Sequence, residues 1–418
     1  MPAPTIYTRH LEEVVGTQLA TTPVVVLNGA RTVGKSTLLH RCAATYGVAV
    51  VDLDDLATRQ AVAADPALFA AGTSPVCIDE FQQVLPLLGA IKAELNRNLH
   101  PGRYLLTGST RYVTLPATSQ SLTGRAHIID VWPLSQGELR GTKEGFLDGL
   151  LSDPGSLVTP AVSPTTRQDY EQMVLRGGFP LAVASTGEQQ RRDWFRSFIR
   201  LVIARDVLEI RRIRHRHILP RVLQRLAAQS AQVLNATAIA NAIAEPVRTI
   251  EDYIALLEAV FLVHRIDAYG RTLGSRVRGS PKVHLVDSGL GAHLLGITQA
   301  KLATRDPAVL TEFGHLVETF AVNEVIKQSG WSAASVVFSH YRTRDVEADL
   351  VCEDDDGHVA AIEIKASDQI PDKDFNGLRS LRDKLGTAFV GGVVLYLGSR
   401  SYTREERIHV LPMDRLWS

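Results

Sequence analysis

Residues Gly29 to Ser36 read Gly-Ala-Arg-Thr-Val-Gly-Lys-Ser, between the apolar run Val24-Val25-Val26-Leu27 and Thr37-Leu38-Leu39. A glycine-rich loop ending in Gly-Lys-Ser, flanked by a buried strand and a helix, is the phosphate-binding pattern G-x-x-x-x-G-K-[ST]. It constrains the fold more than any other segment. The strand must be covered on both faces, so the chain must build a largely parallel sheet with helices around it. The loop also states a chemistry. Backbone N–H groups from Gly29, Ala30, Arg31, Thr32, Val33 and Gly34 can converge on phosphate oxygens. Lys35 is placed to bridge the β- and γ-phosphates, Ser36 to ligate Mg²⁺, and Thr37 to sit near the α-phosphate.

The partner of such a loop is a short apolar strand ending in carboxylates. Pro75-Val76-Cys77-Ile78-Asp79-Glu80 supplies one. Asp79 is expected in the magnesium shell, and Glu80 is expected to orient and polarise the attacking water. Alone, an Asp-Glu pair reads as a solvated strand end; beside the loop it reads as a hydrolysis site. Arg103-Tyr104-Leu105-Leu106-Thr107-Gly108-Ser109 is a further strand ending in small hydroxyl residues. Ser109 or Thr107 is expected to sense the γ-phosphate or hold the lytic water, the plainer role being turn capping. Arg125, in Leu122-Thr123-Gly124-Arg125, is a candidate arginine finger acting in cis or from a neighbouring subunit; a structural ion pair is its plainer role.

At 418 residues the chain is expected to form two or three domains. Apolar strands at 23–27, 48–53, 75–79, 103–107 and 127–131 alternate with helical segments, the mark of an α/β domain with a mainly parallel sheet. Residues 140–168 are rich in Gly, Pro, Ser and Thr and read as a long loop or insertion. The turn Arg176-Gly177-Gly178-Phe179-Pro180 follows, and 187–230 reads as a basic helical lid. Two short helices at 236–244 and 249–259, then strands at 261–266 and 283–286, follow the order of a winged helix. Thr249 and Asp252 suggest a capping box at the start of the second helix. The final third has a helix at 307–328, strands at 335–341, 346–353, 358–364 and 389–396, and a helix near 372–385.

The ordered series Gly-Ala-Arg-Thr-Val-Gly-Lys-Ser, Cys-Ile-Asp-Glu-Phe-Gln, Leu-Leu-Thr-Gly-Ser, Leu-Thr-Gly-Arg and Gly-Gly-Phe-Pro resembles a prokaryotic family of AAA+-like ATPases. Those proteins carry an uncharacterised C-terminal domain with a nuclease-like core. The resemblance spans essentially the whole chain. That family's loop often reads Gly-Pro-Arg-Gln-Val-Gly-Lys-Thr, so Ala30, Thr32 and Ser36 depart from it without removing a phosphate contact. The resemblance implies ATP as the nucleotide, and no Asn-Lys-x-Asp guanine motif is present.

The C-terminal third carries a second constellation. Asp349 lies on one expected strand, and Glu363 and Lys365 share a face of the next. With Glu318 on the preceding helix, this resembles the PD-(D/E)xK nuclease core. That resemblance implies a metal held by the acidic residues and a lysine that positions water or steadies the phosphate. The alternative is a degenerate fold whose acids serve an interface. Asp354 to Asp356 read as a solvated turn.

The expected organisation is therefore α/β multidomain. Residues 1–205 form an AAA+-like ATPase core with lid, 206–280 a helical, winged-helix-like connector, and 281–418 a restriction-endonuclease-like domain. The expected function is ATP binding and hydrolysis coupled to the nuclease-like domain; the alternative is an ATP-dependent switch or scaffold whose C-terminal domain only binds a partner.

Charge settles little about partners. Lys+Arg and Asp+Glu both number 45, so any DNA or RNA contact must be a local patch. Candidates are the run Arg211-Arg212-Ile213-Arg214-His215-Arg216-His217 and a basic wing of Arg271, Arg276, Arg278 and Lys282. Their plainer readings are a solvated helix face and a packing module, and the acidic Glu251, Asp252 and Glu258 argue against groove reading by the second helix. A homo-oligomer or protein partner is the other expectation. Cys42, Cys77 and Cys352 are scattered, which suits a reducing compartment. With no signal-like N-terminus and no apolar run of membrane length, the expectation is a cytoplasmic protein without membrane contact.

Overall fold

The computed structural model describes residues 7–109, 122–204, 207, 216–270 and 279–418. Among these residues the N-terminal part forms a five-stranded sheet in the order β2-β3-β4-β1-β5, with every pairing parallel. The strands are β1 (Val24–Asn28), β2 (Val50–Asp52), β3 (Val76–Asp79), β4 (Tyr104–Gly108) and β5 (Ala126–Asp130). β1, β3 and β4 are buried along their whole length, as central parallel strands covered on both faces must be. All three end together, and the loop after β1 opens beside Asp79 and Glu80.

A second, nine-stranded sheet has the order β13-β14-β12-β11-β10-β9-β7-β8-β6. Its strands are β6 (Gln232–Val233), β7 (Val263–Ala268), β8 (Lys282–Leu285), β9 (Val336–Arg342), β10 (Glu347–Asp354), β11 (Val359–Lys365), β12 (Phe389–Tyr396), β13 (Tyr402–Glu405) and β14 (Ile408–Pro412). The connector contributes helices Leu219–Ala228, Ala236–Ile243 and Val247–Ala259 with β6, β7 and β8. β8 pairs with both β6 and β7. The expected boundary at residue 280 therefore falls between β7 and β8, two paired strands of this sheet. The second helix also starts earlier than expected, at Val247 after Pro246, so Thr249 is not its cap. Proline at this point fits a helix entry, because its missing N–H is not needed there.

Packing corrects the organisation further. One core cluster joins Val25, Leu27, Leu38 and Leu105 of the first sheet and its helices to Phe195, Leu223, Ile250, Leu257 and Leu285 of the connector region. A second joins Phe146, Leu150, Tyr170 and Met173 to Phe313, Leu316, Ile362, Leu395 and Trp417. The stretch 140–168, expected to be a loop, thus contains the helix Phe146–Ser152, and its apolar face completes the C-terminal core. Its backbone is tied there as well: Leu147 N–H donates to Gln328 Oε1 at 3.0 Å. The Pro/Gly/Ser content is real, but the four apolar residues Phe146, Leu147, Leu150 and Leu151 decide where the segment goes.

Candidate functional site

The loop 29–34 is held open by its own backbone. Gly34 takes φ 99°, a conformation strained for residues with a Cβ, and caps the helix Lys35–Thr45. Lys35 is 4% exposed. Its ammonium donates to the carbonyls of Gly29 at 2.9 Å and Ala30 at 2.8 Å, which keeps it curled over the loop. A cavity of about 450 Å³ is lined by Arg31, Thr32, Lys35, Ser36, Thr37 and Glu80, with Tyr7, Leu134, Pro180 and Leu181 at its apolar part.

Asp79 and Glu80 arrive from β3, in the same layer. Thr107 on β4 donates its hydroxyl to Asp79 Oδ1, and the Thr107 Oγ1 itself accepts from Glu80 N–H at 3.1 Å. Glu80 has left-handed backbone (φ 52°, ψ 48°). Non-glycine residues seldom adopt it, and such strain concentrates at functional positions. The carboxylate Oε2 of Glu80 accepts from Ser109 Oγ at 3.0 Å and from Gln82 Nε2, which also donates to Ser109 Oγ at 3.0 Å. Thr107 and Ser109 therefore divide the work: one holds the Asp79 side of the turn, the other holds Glu80.

Arg125 does not join them. It precedes β5, where Ala126 pairs with Val24 at the start of β1. The loop follows the other end of β1, about 16 Å away over five residues of strand. An arginine finger acting in cis is excluded by this polarity.

The sequence assigns no role to two residues of the site, although Gln82 closes the Cys-Ile-Asp-Glu-Phe-Gln motif. Arg9, 6% exposed, donates to the carbonyls of Val33 at 2.7 Å and Trp132 at 2.8 Å and pairs with Glu138 at 2.8 Å. It bolts the back of the loop to the segment after β5, and its partners lie too far along the chain for any local pattern. Gln82 is the other, bridging Glu80 and Ser109. The turn Arg176–Pro180 has a clearer logic. Gly177 (φ 69°) brings a would-be Cβ to 2.2 Å from Asp287 Oδ1, and Gly178 N–H donates to Asp287 Oδ2 at 2.7 Å. Only glycine lets the buried Asp287 carboxylate seat this turn, which carries Pro180 and Leu181 to the cavity.

In the C-terminal sheet Glu318, Asp349, Glu363 and Lys365 line one cavity of about 470 Å³. Their charges are already partnered. Lys282, 1% exposed, reaches from β8 to Glu318 at 2.7 Å, Glu347 at 2.6 Å and Asp349 at 3.0 Å. The sequence left Lys282 open between a basic wing and a packing module; the structure buries it among carboxylates, which agrees with the packing module. Burial alone would lower its pKa, but Asp349, Glu318 and Glu347 raise it far above the usual lysine value. Burial pushes Glu318 up to about 8, with Asp349 adding to the rise. Glu363 pairs with Lys365 at 2.6 Å, and its Oε2 is buried without a partner among the described residues. Asp349 Oδ2 accepts from Ile364 N–H at 2.8 Å.

The Lys282 ammonium stands between Glu318 and Asp349 and competes there with any cation, while Glu363 faces Lys365 instead. Among the described residues, the one trio of such side chains with ligand atoms within 4.8 Å is Asp354, Asp356 and His358, at the exposed turn after β10. Arg271, Arg276, Arg278 and residues 211–215 lie outside the described residues.

Three family models match the chain, and two of them divide the nine-stranded sheet between β8 and β9. Residues 21–140 match the family profile of an AAA domain, which supports a P-loop ATPase-type nucleotide-binding domain at the first sheet. Residues 167–301 and 313–416 match two domains of unknown function, DUF8612 and DUF4143. An uncharacterized protein of Mycobacterium tuberculosis is 25% identical over 399 residues, covering 94% of this chain and 81% of its own length. An uncharacterized protein of Haemophilus influenzae is 26% identical over 236 residues, 54% of each chain. Among solved structures, a Walker-type ATPase of Pyrococcus abyssi aligns with TM-score 0.42 and 15% identity over 69% of this chain and 96% of that one. The Thermotoga maritima RuvB Holliday junction branch migration motor aligns with TM-score 0.31 and 14% identity over 62% and 90%. No helix among the described residues is long and apolar enough to cross a membrane.

Proposed function

We propose that this chain binds ATP with Mg²⁺ and hydrolyses it at the site between β1 and β3. The observation that carries the reading is the meeting of Lys35 and Ser36 with Asp79 and Glu80 at one end of the parallel sheet, with Thr107 and Ser109 fixing both carboxylates. Lys35 neutralises the phosphates, and loop N–H groups orient them. The Ser36 hydroxyl and Asp79 carboxylate are hard oxygen donors of the kind Mg²⁺ takes, and they would hold it. The ion, when bound, would neutralise charge developing on the phosphates. Glu80 orients and polarises water, and Ser109 with Gln82 sets its direction. Tyr7, Leu134, Pro180 and Leu181 supply an apolar wall for the base. Arg125, remote from its own site, serves a nucleotide only if a second copy of the chain brings it there. Lys35→Ala should abolish ATP turnover, and Glu80→Gln should abolish turnover while ATP binding survives. Unchanged turnover in Lys35→Ala sinks the reading.

Of the two readings of the C-terminal domain, coupling of ATP turnover to a nuclease or to a switch that binds a partner, Lys282 favours the second. A nuclease centre needs its acids for metal, and here the chain's own ammonium engages Glu318 and Asp349. DNA or RNA cleavage with Mn²⁺ and ATP, lost in Asp349→Ala, would restore the nuclease reading.

A further inference from the structure

A cavity of about 550 Å³ lies between the helices Arg167–Arg176, Glu188–Ala204 and Ser288–Leu295. Four arginines line it: Arg140, Arg176, Arg191 and Arg192. Two carboxylates share the wall; Asp169 also feels Arg140 and Glu188 also acts on Arg191, but each has a nearer partner. Glu188 pairs with Arg192 at 2.6 Å. Asp169 accepts from Thr166 N–H at 2.8 Å and Thr166 Oγ1 at 2.6 Å, closing the cap of its own helix. Three guanidiniums are left facing one space.

Their attachments make the site a built one. Arg140 lies over the Trp417 ring at 4.9 Å and donates to Gln136 Oε1 at 2.9 Å, which fixes its position, while the carboxylates of Glu324, Asp414 and Glu144 act on its charge from outside ion-pair contact. Nε of Arg176 and Nε of Arg191 are buried and have no partner among the described residues. Arg176 is the common neighbour: after burial, its charge is the next cause lowering the pKa of both Arg140 and Arg191. Like charges gathered in a half-buried space repel, and unpaired N–H groups there have lost water without gaining a partner. One wall is apolar and aromatic, with Phe195 stacked on His293 at 5.8 Å.

We infer that this cavity binds a phosphate-bearing anion, held by Arg176 and Arg191 and backed by Arg140. A phosphate offers several oxygens and more than one negative charge, which is what planar guanidinium forks match. The volume suits a small-molecule ligand. The location gives the ligand a purpose. Arg176 lines this cavity, and Pro180 and Leu181, just beyond the Gly177-Gly178 turn, line the nucleotide cavity. An anion that fixes Arg176 fixes that turn.

The test uses the full chain carrying Lys35→Ala, so that the loop at 29–36 does not compete. Calorimetric titration with inorganic pyrophosphate, and separately with AMP, is compared with the same protein also carrying Arg176→Met and Arg191→Met. Binding of either probe that weakens at least about tenfold in the triple variant supports the site. Pyrophosphate alone assigns an inorganic anion; AMP binding the tighter assigns an organic phosphate resting on Phe195. A cooperative thermal melt confirms that the triple variant is folded, and Arg176→Lys with Arg191→Lys, which keeps the charge, should recover part of the binding. No binding of either probe up to about 10 mM, or equal binding by both proteins, overturns the assignment.

Discussion

Lys282→Met removes a charge and keeps most of the side-chain volume. In the native chain the ammonium meets Glu318, Glu347 and Asp349 within 3.0 Å, and it is 1% exposed. Taking away one partner of a buried ion pair leaves the other charges desolvated and unpaired, a loss of about 3–5 kcal/mol. Here more than one carboxylate is orphaned, and protonation of one of them limits the loss, so the same range applies. For a domain of ordinary size each kcal/mol lowers the midpoint by about 2–4 °C, giving a fall of about 6–20 °C in the transition of the C-terminal sheet. Scanning calorimetry at pH 8 reads this directly, and ATP turnover by the same sample checks that the first sheet is intact. A transition within about 1 kcal/mol of wild type would refute the assignment of Lys282 as the counter-charge of this cluster.

Other outcomes follow from the same kind of reasoning. Arg9→Ala removes the contacts to the Val33 loop carbonyl and to the Trp132 carbonyl after β5, and the charged partner of buried Glu138; a loss of about 2–4 kcal/mol in urea unfolding and weaker ATP binding are expected. Ser109→Ala frees Glu80 Oε2 from one of its donors, so turnover should fall about tenfold or more with little change in ATP affinity, read by steady-state kinetics beside equilibrium binding. Burial alone would lower the His10 pKa, but Glu144 at 3.0 Å, aided by Glu138, raises it. A raised folded-state pKa means that the folded chain holds this proton more tightly, so its stabilisation is complete below about pH 6.5 and is lost as pH rises through the elevated value. His10→Asn should flatten that part of the stability–pH curve measured by denaturant titration.

What the sequence made legible divides by range. The loop at 29–36 and the carboxylates at 79–80 were readable because each is a local pattern and the sheet brings local patterns to one edge. Arg9 was not, since its partners Val33, Trp132 and Glu138 are set by tertiary packing. Arg125 stays open in the sequence between a finger in cis, a finger in trans and a structural ion pair, because a motif carries no polarity; the register of β5 against β1 shows which end it occupies. Glu318, Asp349, Glu363 and Lys365 do come to one cavity, as their pattern on helix and strands suggested. The residue that changes their meaning, Lys282, sits on a strand whose sequence, Pro281-Lys282-Val283-His284, looks like any edge of a wing. Residues 146–151 were hidden by their Gly- and Pro-rich surroundings, although four apolar side chains fixed their place in the C-terminal core.

β7 and β9 pair in parallel through Asp267 with Ser339 and Ala268 with His340. The seam between connector and C-terminal third is thus a ladder of main-chain hydrogen bonds, and it tells the experimenter where not to cut. A fragment beginning at residue 281 would strand β8 without β6 and β7, open the flank of β9 to intermolecular pairing, and drop Phe146 and Tyr170 out of the core. Such a piece should aggregate on expression. Any attempt to isolate the C-terminal half needs to begin upstream of Phe146.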